Sequence, residues 1–461
     1  MTAQYAFSFD ARFCSGCKAC QAACKDKNEL PTGVLWRRVY EVSGGAWEQS
    51  GNTWNNSVFA YNLSIACNHC VHPKCAGVCP VDAYDVREGG IVILDSSKCV
   101  GCGYCAWACP YGAPQYDPEA GQMTKCDFCY DNLEKGLPPA CVAACPMRVL
   151  DYGAAETREG VALWNVSPET HPFPLPTFSR TQPNLAIKPH PAMQTTQEKF
   201  VANHEEIQPR VPSAWEEVPL ILFTLLGQLA AGGLWVLWMM TDRVKSPVNL
   251  FPHLVIGLSL GVGMLASFAH LGTKKNAWRV LGHLSHSWLS REILFAGLFG
   301  LGWLSGTLLS VFRNQIALEA MALTSILGVG LVYSMSQVYR IPAAPGWNTW
   351  RTNASFMVSA LLLGLSVMAP IFLVSGSPFE YDYINIGILV LALAQYLLMR
   401  VSPADRLCQN LRKGLLFLAA LLSLIHIAFS SDVLWLSILG FVFIAMEEGL
   451  GRWLFYRSRL G

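Results

Sequence analysis

An α+β unit with duplicated cysteine-rich segments, followed by an all-α bundle of eight transmembrane helices, is the fold this sequence predicts. Three observations lead there. Sixteen of the seventeen cysteines lie between Cys14 and Cys145, in four groups of four. From residue 218 onward the chain is mostly apolar runs of about 20 residues, the length that crosses a bilayer. A proline-rich stretch separates the two regions. The expected boundaries are 1–164 for the cysteine-rich unit, 165–215 for the linker and 216–461 for the helices. Of the 461 residues, 52% are hydrophobic and 14% charged, against about 25% charged in ordinary soluble domains. A net charge of +1 carries no basic excess, so no nucleic-acid partner is expected.

The first group is Cys14, Cys17, Cys20 and Cys24, spaced C-x2-C-x2-C-x3-C. The second is Cys67, Cys70, Cys75 and Cys79, the third Cys99, Cys102, Cys105 and Cys109, and the fourth Cys126, Cys129, Cys141 and Cys145. Groups two to four end in Cys-Pro. Triplets with a Cys-Pro tail are the bacterial ferredoxin pattern, in which three thiolates hold one cubane cluster and the fourth reaches the other cluster of a pair. Disulfides fit poorly, because such close C-x2-C pairs rarely cross-link without strain. Zinc fits poorly too, because its sites come as two separated C-x2-C pairs. Sixteen thiolates match four [4Fe–4S] clusters in a ferredoxin-like unit with two duplicated halves. The clusters are expected to supply much of the folding energy of so small a core.

Between groups one and two, the tract 36–65 is rich in Val, Tyr, Trp and Phe, with turn signals at Gly44-Gly45 and Gly51-Asn52, and reads as a hairpin. Residues 90–94 read as a strand between groups two and three. The start of the chain lacks a basic, apolar leader, so no signal peptide is expected, and Arg37-Arg38 reads as a solvated pair on a strand. Nine prolines between Pro168 and Pro212 make the linker extended rather than helical, either a tether or a strap along a surface.

The eight apolar runs are 218–240, 251–271, 291–312, 317–338, 354–375, 383–399, 414–430 and 433–453, the sixth and seventh being short. Glycines such as Gly257, Gly261, Gly263, Gly328 and Gly330 suit close helix packing. Trp and Tyr near the run ends suit membrane interfaces. With eight spans, thirteen Lys and Arg fall on the side of the cysteine-rich unit and three on the other, which places that unit in the cytoplasm.

The stretch Cys99–Asp117, CVGCGYCAWACPYGAPQYD, resembles the iron–sulfur subunit of the dimethyl sulfoxide reductase family of molybdenum enzymes. In the related nitrate reductase electron-transfer subunits a Trp stands where this chain has Cys102, giving a three-iron cluster; Cys102 implies four cubanes here. The resemblance implies four ligand sets: Cys14, Cys17, Cys20 with Cys145; Cys126, Cys129, Cys141 with Cys24; Cys67, Cys70, Cys75 with Cys109; and Cys99, Cys102, Cys105 with Cys79. The runs Glu217–Gly233, Gly263–Gly272 and Ser290–Ile293 resemble the same family's membrane anchor, normally a separate chain.

His270 ends the second run on the expected side of the cysteine-rich unit, and Glu292 opens the third. Histidine changes charge most readily near neutral pH, and ionisable groups at membrane depth are functional candidates. In the anchor family the histidine of the matching HLG motif is tied to menaquinol binding, so His270 and Glu292 are the expected quinol site. His253 and His426 lie toward the far side, and His283 and His286 read as solvated loop residues. With no facing pair of histidines evident, no haem is expected. Cys408 reads as a plain thiol in a loop.

No substrate-reducing motif is present. The resemblance implies a relay subunit in a bacterial or archaeal cell membrane. It would take electrons from menaquinol and the quinone pool, and pass them to a molybdenum-bis(pyranopterin guanine dinucleotide) catalytic subunit that reduces dimethyl sulfoxide or a similar S- or N-oxide. The alternatives are the same role in a polysulfide, tetrathionate or oxyanion oxidoreductase, or a redox-linked ion pump. A pump would need charged groups along span interiors, and the acidic groups read as lying at span ends. Family members often carry this unit outside the membrane; the loop charges favour the cytoplasmic face.

Overall fold

The computed structural model describes residues 4–155, 181–192, 217–241, 250–311, 316–374, 378–399, 406–429 and 433–458. They belong to two compact units. The first comprises Met1–Val211 with Gly272–His286, the second Pro212–Leu271 with Ser287–Gly461.

In chain order the first unit holds β1 (Gln4–Asp10), α1 (Ala19–Lys27), β2 (Arg38–Gly44), β3 (Trp47–Ser50), β4 (Thr53–Asn56), β5 (Phe59–Ile65) and α2 (Lys74–Val78). Then come β6 (Tyr84–Val86), β7 (Val92–Leu94), α3 (Tyr104–Ala108), β8 (Gln115–Asp117), β9 (Gln122–Thr124), α4 (Tyr130–Leu133), α5 (Ala140–Ala143), β10 (Leu150–Ala155) and β11 (Leu185–Lys188). The hairpin expected over 36–65 is a long one: β2 pairs with β5 and, beyond a break at Gly45, β3 with β4. The strand expected at 90–94 is β7, paired with β6.

β1 is the middle strand of a three-stranded sheet, antiparallel to β10 and parallel to β11. Its side chains alternate, with Phe7 and Phe9 buried and Ser8 exposed between them. Phe7 stacks on Phe128 with ring centroids 4.1 Å apart, and Ile187 of β11 is fully buried in the same core. The proline-rich stretch is therefore not all tether. Residues 185–188 form a strand whose Leu185 and Ile187 complete the core, and Asn184 Nδ2 donates to the His69 carbonyl. The parts of the expected linker before 181 and after 192 lie outside the described residues.

The C-x3-C spacing sets the local fold of each cysteine group. Cysteines four apart share one helix face. Cys20 and Cys24 lie so on α1, and both are buried. Cys75 and Cys105 sit in the one-turn helices α2 and α3, with Cys79 and Cys109 just past their ends, and the following prolines stop the helices. Within each first C-x2-C pair, the second intervening residue turns left-handed: Gly16 (φ 69°), His69 (φ 39°), Gly101 (φ 71°) and Phe128 (φ 66°). Glycine adopts this conformation freely; a ring-bearing residue is strained there, and its burial must offset that strain.

The second unit contains α6 (Val218–Thr241), α7 (Leu250–His270), α8 (Trp288–Val311), α9 (Ile316–Val338), α10 (Trp350–Val374), α11 (Pro378–Leu398), α12 (Arg406–Phe429) and α13 (Leu434–Arg457). Among the described residues seven of these are long and apolar enough to span a membrane, and α11 offers a shorter apolar stretch, Asp382–Leu398. The chain is a multi-pass membrane protein. α6 packs on α7, α9 and α10; α8 packs on α9; α10 packs on α11 and α13; and α12 packs on α13. Gly232 of α6 meets Gly364 of α10 backbone to backbone, so closely that a Cβ at Gly232 would overlap the Ala360 carbonyl.

Three expectations need correction. Cys408 lies within α12, not in a loop. Acidic groups are not confined to span ends: Glu447 and Glu448 are buried well inside α13. Arg412 Nη2 pairs with Glu447 at 2.6 Å, and Glu448 accepts from Ser359 Oγ at 2.7 Å and Gln395 Nε2 at 2.9 Å. Arg452 Nη2 donates to Gln228 Oε1 at 2.9 Å, with its guanidinium 3.8 Å from the centre of the Phe356 ring. Two carboxylates and two guanidiniums thus balance inside the bundle, as buried charges must. It follows that Arg412 and Arg452 are not loop charges. Both drop out of the orientation count, and Arg406 and Lys413 also lie within α12 and Arg457 within α13.

A methyl group at the α6–α10 contact has no room. Gly232→Ala is expected to destabilise the detergent-solubilised chain by about 1–3 kcal/mol, the usual cost of overpacking. Thermal unfolding of the purified protein measures it, and an unchanged midpoint would refute the close contact.

Candidate functional site

The cysteines gather by four, across groups. Cys14, Cys17 and Cys20 line one pocket with Cys145; about 330 Å³ of empty space lies within it, open in part to solvent. Cys67, Cys70 and Cys75 line another with Cys109, of about 380 Å³. Cys24 lies within electrostatic reach of Cys126, Cys129 and Cys141, and Cys79 within reach of Cys99, Cys102 and Cys105. All sixteen are free thiols, most of them buried. Among the described residues, no three His, Cys, Asp or Glu side chains converge closely enough to share a single metal ion. Sulfurs that surround a volume suit a multi-atom cluster, not a mononuclear zinc.

The left-handed residues serve these sulfurs. Their turned peptides aim amides inward: Gly101 N–H donates to Cys99 Sγ at 3.4 Å, Phe128 N–H to Cys126 Sγ at 3.4 Å, and Gly16 N–H to Cys14. Ala83 N–H donates to Cys79 Sγ at 3.4 Å, and Ser64 Oγ lies 3.4 Å from Cys20 Sγ. Such bonds favour negative sulfur and tune iron–sulfur potentials. Burial pushes the metal-free thiols the other way, Cys24 up to about 12 and Cys129 up to about 11. A neutral solution leaves these thiols protonated until a metal displaces the protons.

Two buried cations show that this interior is built for anions. Arg37 was expected in solvent, yet it is 1% exposed. Its Nη1 donates to Ser64 Oγ at 3.2 Å, its guanidinium lies 4.4 Å from the centre of the Phe7 ring, and among the described residues its Nε and Nη2 have no hydrogen-bond partner. Cys20, Cys24, Cys126 and Cys141 lie around it. Lys125 is equally buried, and its Nζ donates to the carbonyls of Val92 and Cys126, the latter at 2.7 Å. Burial pulls the Lys125 ammonium down, but the sulfurs of Cys67, Cys75 and Cys126 push it above its ordinary value. Among the described residues neither cation has a carboxylate partner. A buried charge without a counter-ion costs several kcal/mol. Thiolate-bound iron–sulfur clusters, which are anionic, supply that counter-charge, so the residues present fit them.

His69, between Cys67 and Cys70, is also fully buried. Its Nδ1 accepts the Val92 N–H at 3.1 Å, and its ring meets Phe128 edge to face at 5.2 Å. Burial, aided by Lys125 and Arg37, holds its pKa well below the usual histidine range, so it is neutral. Lys125 and His69 escaped the sequence reading, although both adjoin the cysteine motifs, and Arg37 was read as solvated.

The segment 272–286 joins α7 to α8 but belongs to the first unit. Thr273 N–H donates to the Val100 carbonyl at 3.0 Å, and Asn276 Nδ2 to the carbonyls of Ser97 (2.9 Å) and Cys99 (3.0 Å). His283 is not a free loop residue: its Nδ1 lies 2.7 Å from the Cys79 carbonyl oxygen, while His286 beside it is exposed. Gly272 packs against Gly121 so closely that a Cβ at Gly272 would overlap the Gly121 carbonyl.

In the second unit, His270 is the last residue of α7 and half-buried; Glu292, in the first turns of α8, is buried. Among the described residues no hydrogen bond joins them, and Glu292 lies within electrostatic reach of Tyr339. His253 is buried and bonds Thr307 Oγ1 at 3.0 Å; His426 is buried beside Ser437.

Residues 211–402 match the family model of the DMSO reductase anchor subunit (DmsC), and residues 58–155 match that of the 4Fe-4S dicluster domain. The chain is 46% identical over 211 residues to the probable anaerobic dimethyl sulfoxide reductase chain YnfG of Escherichia coli, covering 45% of this chain and 100% of that one. It is 39% identical over 160 residues to the thiosulfate reductase electron transfer subunit PhsB of Salmonella typhi, covering 34% and 80%. To a subunit of the tetrathionate reductase of Salmonella typhimurium it is 42% identical over 142 residues, covering 31% and 54%.

Asn276→Ala removes a side chain that bonds two carbonyls beside the Cys99 group. The expected result is a loss of about 1–3 kcal/mol and faster proteolytic cutting of 272–286. Limited proteolysis of the variant against the parent checks it.

Proposed function

The chain belongs to the dimethyl sulfoxide reductase family of iron–sulfur subunits, here joined to that family's membrane anchor, and we propose that it is a menaquinol-oxidising relay with four [4Fe–4S] clusters. As an electron-transfer and anchor subunit it works with a catalytic subunit. We take that partner to be a molybdenum-bis(pyranopterin guanine dinucleotide) protein reducing dimethyl sulfoxide or a similar S- or N-oxide. The observation that carries the reading is the pair of buried cations among sixteen thiols. Clusters of this type accept and release one electron at a time.

The sixteen cysteines would hold these clusters in the four cross-group sets described above. The sets adjoin in sequence. Cys105 lies near Cys75, Cys67 near Cys126, and Cys141 near Cys20. That gives an order from the Cys99 set through the Cys67 and Cys126 sets to the Cys14 set. Entry at the Cys99 set is supported by 272–286, which begins two residues after His270 and bonds the peptides of Cys79 and Cys99. Exit at the Cys14 set is supported by its surface: Cys17 is exposed, with the apolar side chains of Phe13 and Met147 exposed beside it. An exposed apolar patch of this kind suits a protein partner.

At the other end, oxidising one quinol releases two electrons and two protons. His270 takes a proton from one hydroxyl, and Glu292 serves the other; both groups can hold and pass on a proton at a membrane edge. The cysteine-rich unit faces the cytoplasm on this reading, as the remaining loop charges indicate. The thiosulfate and tetrathionate relatives favour a second substrate assignment for the same relay, and the catalytic subunit that co-purifies decides between them.

Two measurements test this. Iron and sulfide analysis of the anaerobically purified chain is expected to give about sixteen of each, four per cubane; far fewer ends the four-cluster reading. His270→Ala is expected to lower quinol-dependent reduction of the clusters by about 10²-fold or more, the usual weight of a general base, with iron content unchanged. Full quinol-dependent activity in that variant would refute the site.

A further inference from the structure

Lys125 and Arg37 occupy the two junctions on either side of the Cys126 set. Lys125 lines the pocket of the Cys67 set and donates to the carbonyl of Cys126 at 2.7 Å. Arg37 donates its backbone N–H to Cys24, a member of the Cys126 set, while its guanidinium bonds Ser64, which in turn contacts Cys20 of the Cys14 set. On the four-cluster reading no cysteine is exchanged between the Cys67 and Cys126 sets; Lys125 bridges that junction beside the edge-to-face contact of His69 with Phe128.

We propose that Lys125 and Arg37 are positioning residues that raise the reduction potentials of the clusters facing them: Lys125 those of the Cys67 and Cys126 sets, Arg37 those of the Cys126 and Cys14 sets. The proposal rests on the four-cluster reading above. Reduction adds one negative charge to a cluster. A fixed cation in a low-dielectric interior therefore stabilises the reduced form more than the oxidised form, and its pull falls with distance. Both cations act on the Cys126 set. The Cys99 set faces neither. The middle of the relay becomes a place where electrons rest, and the two ends stay lower.

This gives a fingerprint that a merely structural role would not produce. The full chain, purified in its complex, is titrated reductively and followed by electron paramagnetic resonance. Lys125→Gln and Arg37→Gln are compared with the charge-keeping Lys125→Arg and Arg37→Lys. Each Gln variant is expected to lower two of the four midpoint potentials, by at least tenfold in the reduction equilibrium, which is 59 mV for one electron. One cluster is expected to move in both variants and one in neither, and the charge-keeping variants are expected to return the potentials toward the parent.

Unchanged potentials with full iron content overturn the proposal, as does an equal shift of all four. If a Gln variant loses iron, its charge-keeping partner decides. Iron and parental potentials retained there support the role of charge; iron lost there as well shows that the side chain only fills space, and the proposal falls. A parent chain with far fewer than sixteen irons would instead overturn the four-cluster reading, before any variant is made.

Discussion

Burying negative charge is the constraint on which the first unit depends. Sixteen thiolates and their iron would be ruinous in an apolar interior without compensation. The chain answers with amides and cations. The residue after next in each first C-x2-C pair turns left-handed, and three of these amides reach a cysteine sulfur. Arg37 and Lys125 add whole charges where two cysteine sets meet. A core containing Phe7, Phe128 and Ile187 then closes around them.

The same problem recurs in the second unit with another solution. Glu447, Glu448, Arg412 and Arg452 lie in an apolar bundle and balance one another, with Ser359, Gln395 and Gln228 filling hydrogen-bonding positions. Among the described residues the buried cations of the first unit form no salt bridge with a carboxylate, and a bound anion would balance them. In the second, two carboxylates and two guanidiniums of α12 and α13 offset one another within the chain. A buried network that closes on itself holds helices together; one that does not close points to a ligand.

How legible was this in the sequence? The cysteine spacing carries its own geometry, because C-x3-C places two thiols on one helical turn and Cys-Pro ends that turn. Gly16 and Gly101 were readable as turn residues, but His69 and Phe128 stand in the equivalent places and resemble ordinary core residues. Arg37 was misread because an Arg-Arg pair beside a strand looks solvated, and only the folded chain brings four thiols around it. The Glu-Glu pair was visible, but its counter-ion Arg412 lies 35 residues away. The strand at Leu185–Lys188 was hidden by the prolines around it, since its pairing partner β1 opens the chain. Local spacing was legible; compensation between distant charges was not.

The membership of 272–286 in the first unit constrains biosynthesis. The ribosome must complete α6 and α7 before this segment exists, so its bonds to the peptides of Cys79 and Cys99 form only after both helices have been made. The last contacts of the cysteine-rich unit are thereby made later in synthesis than the two helices that precede them. Two separate polypeptides would have no such timetable.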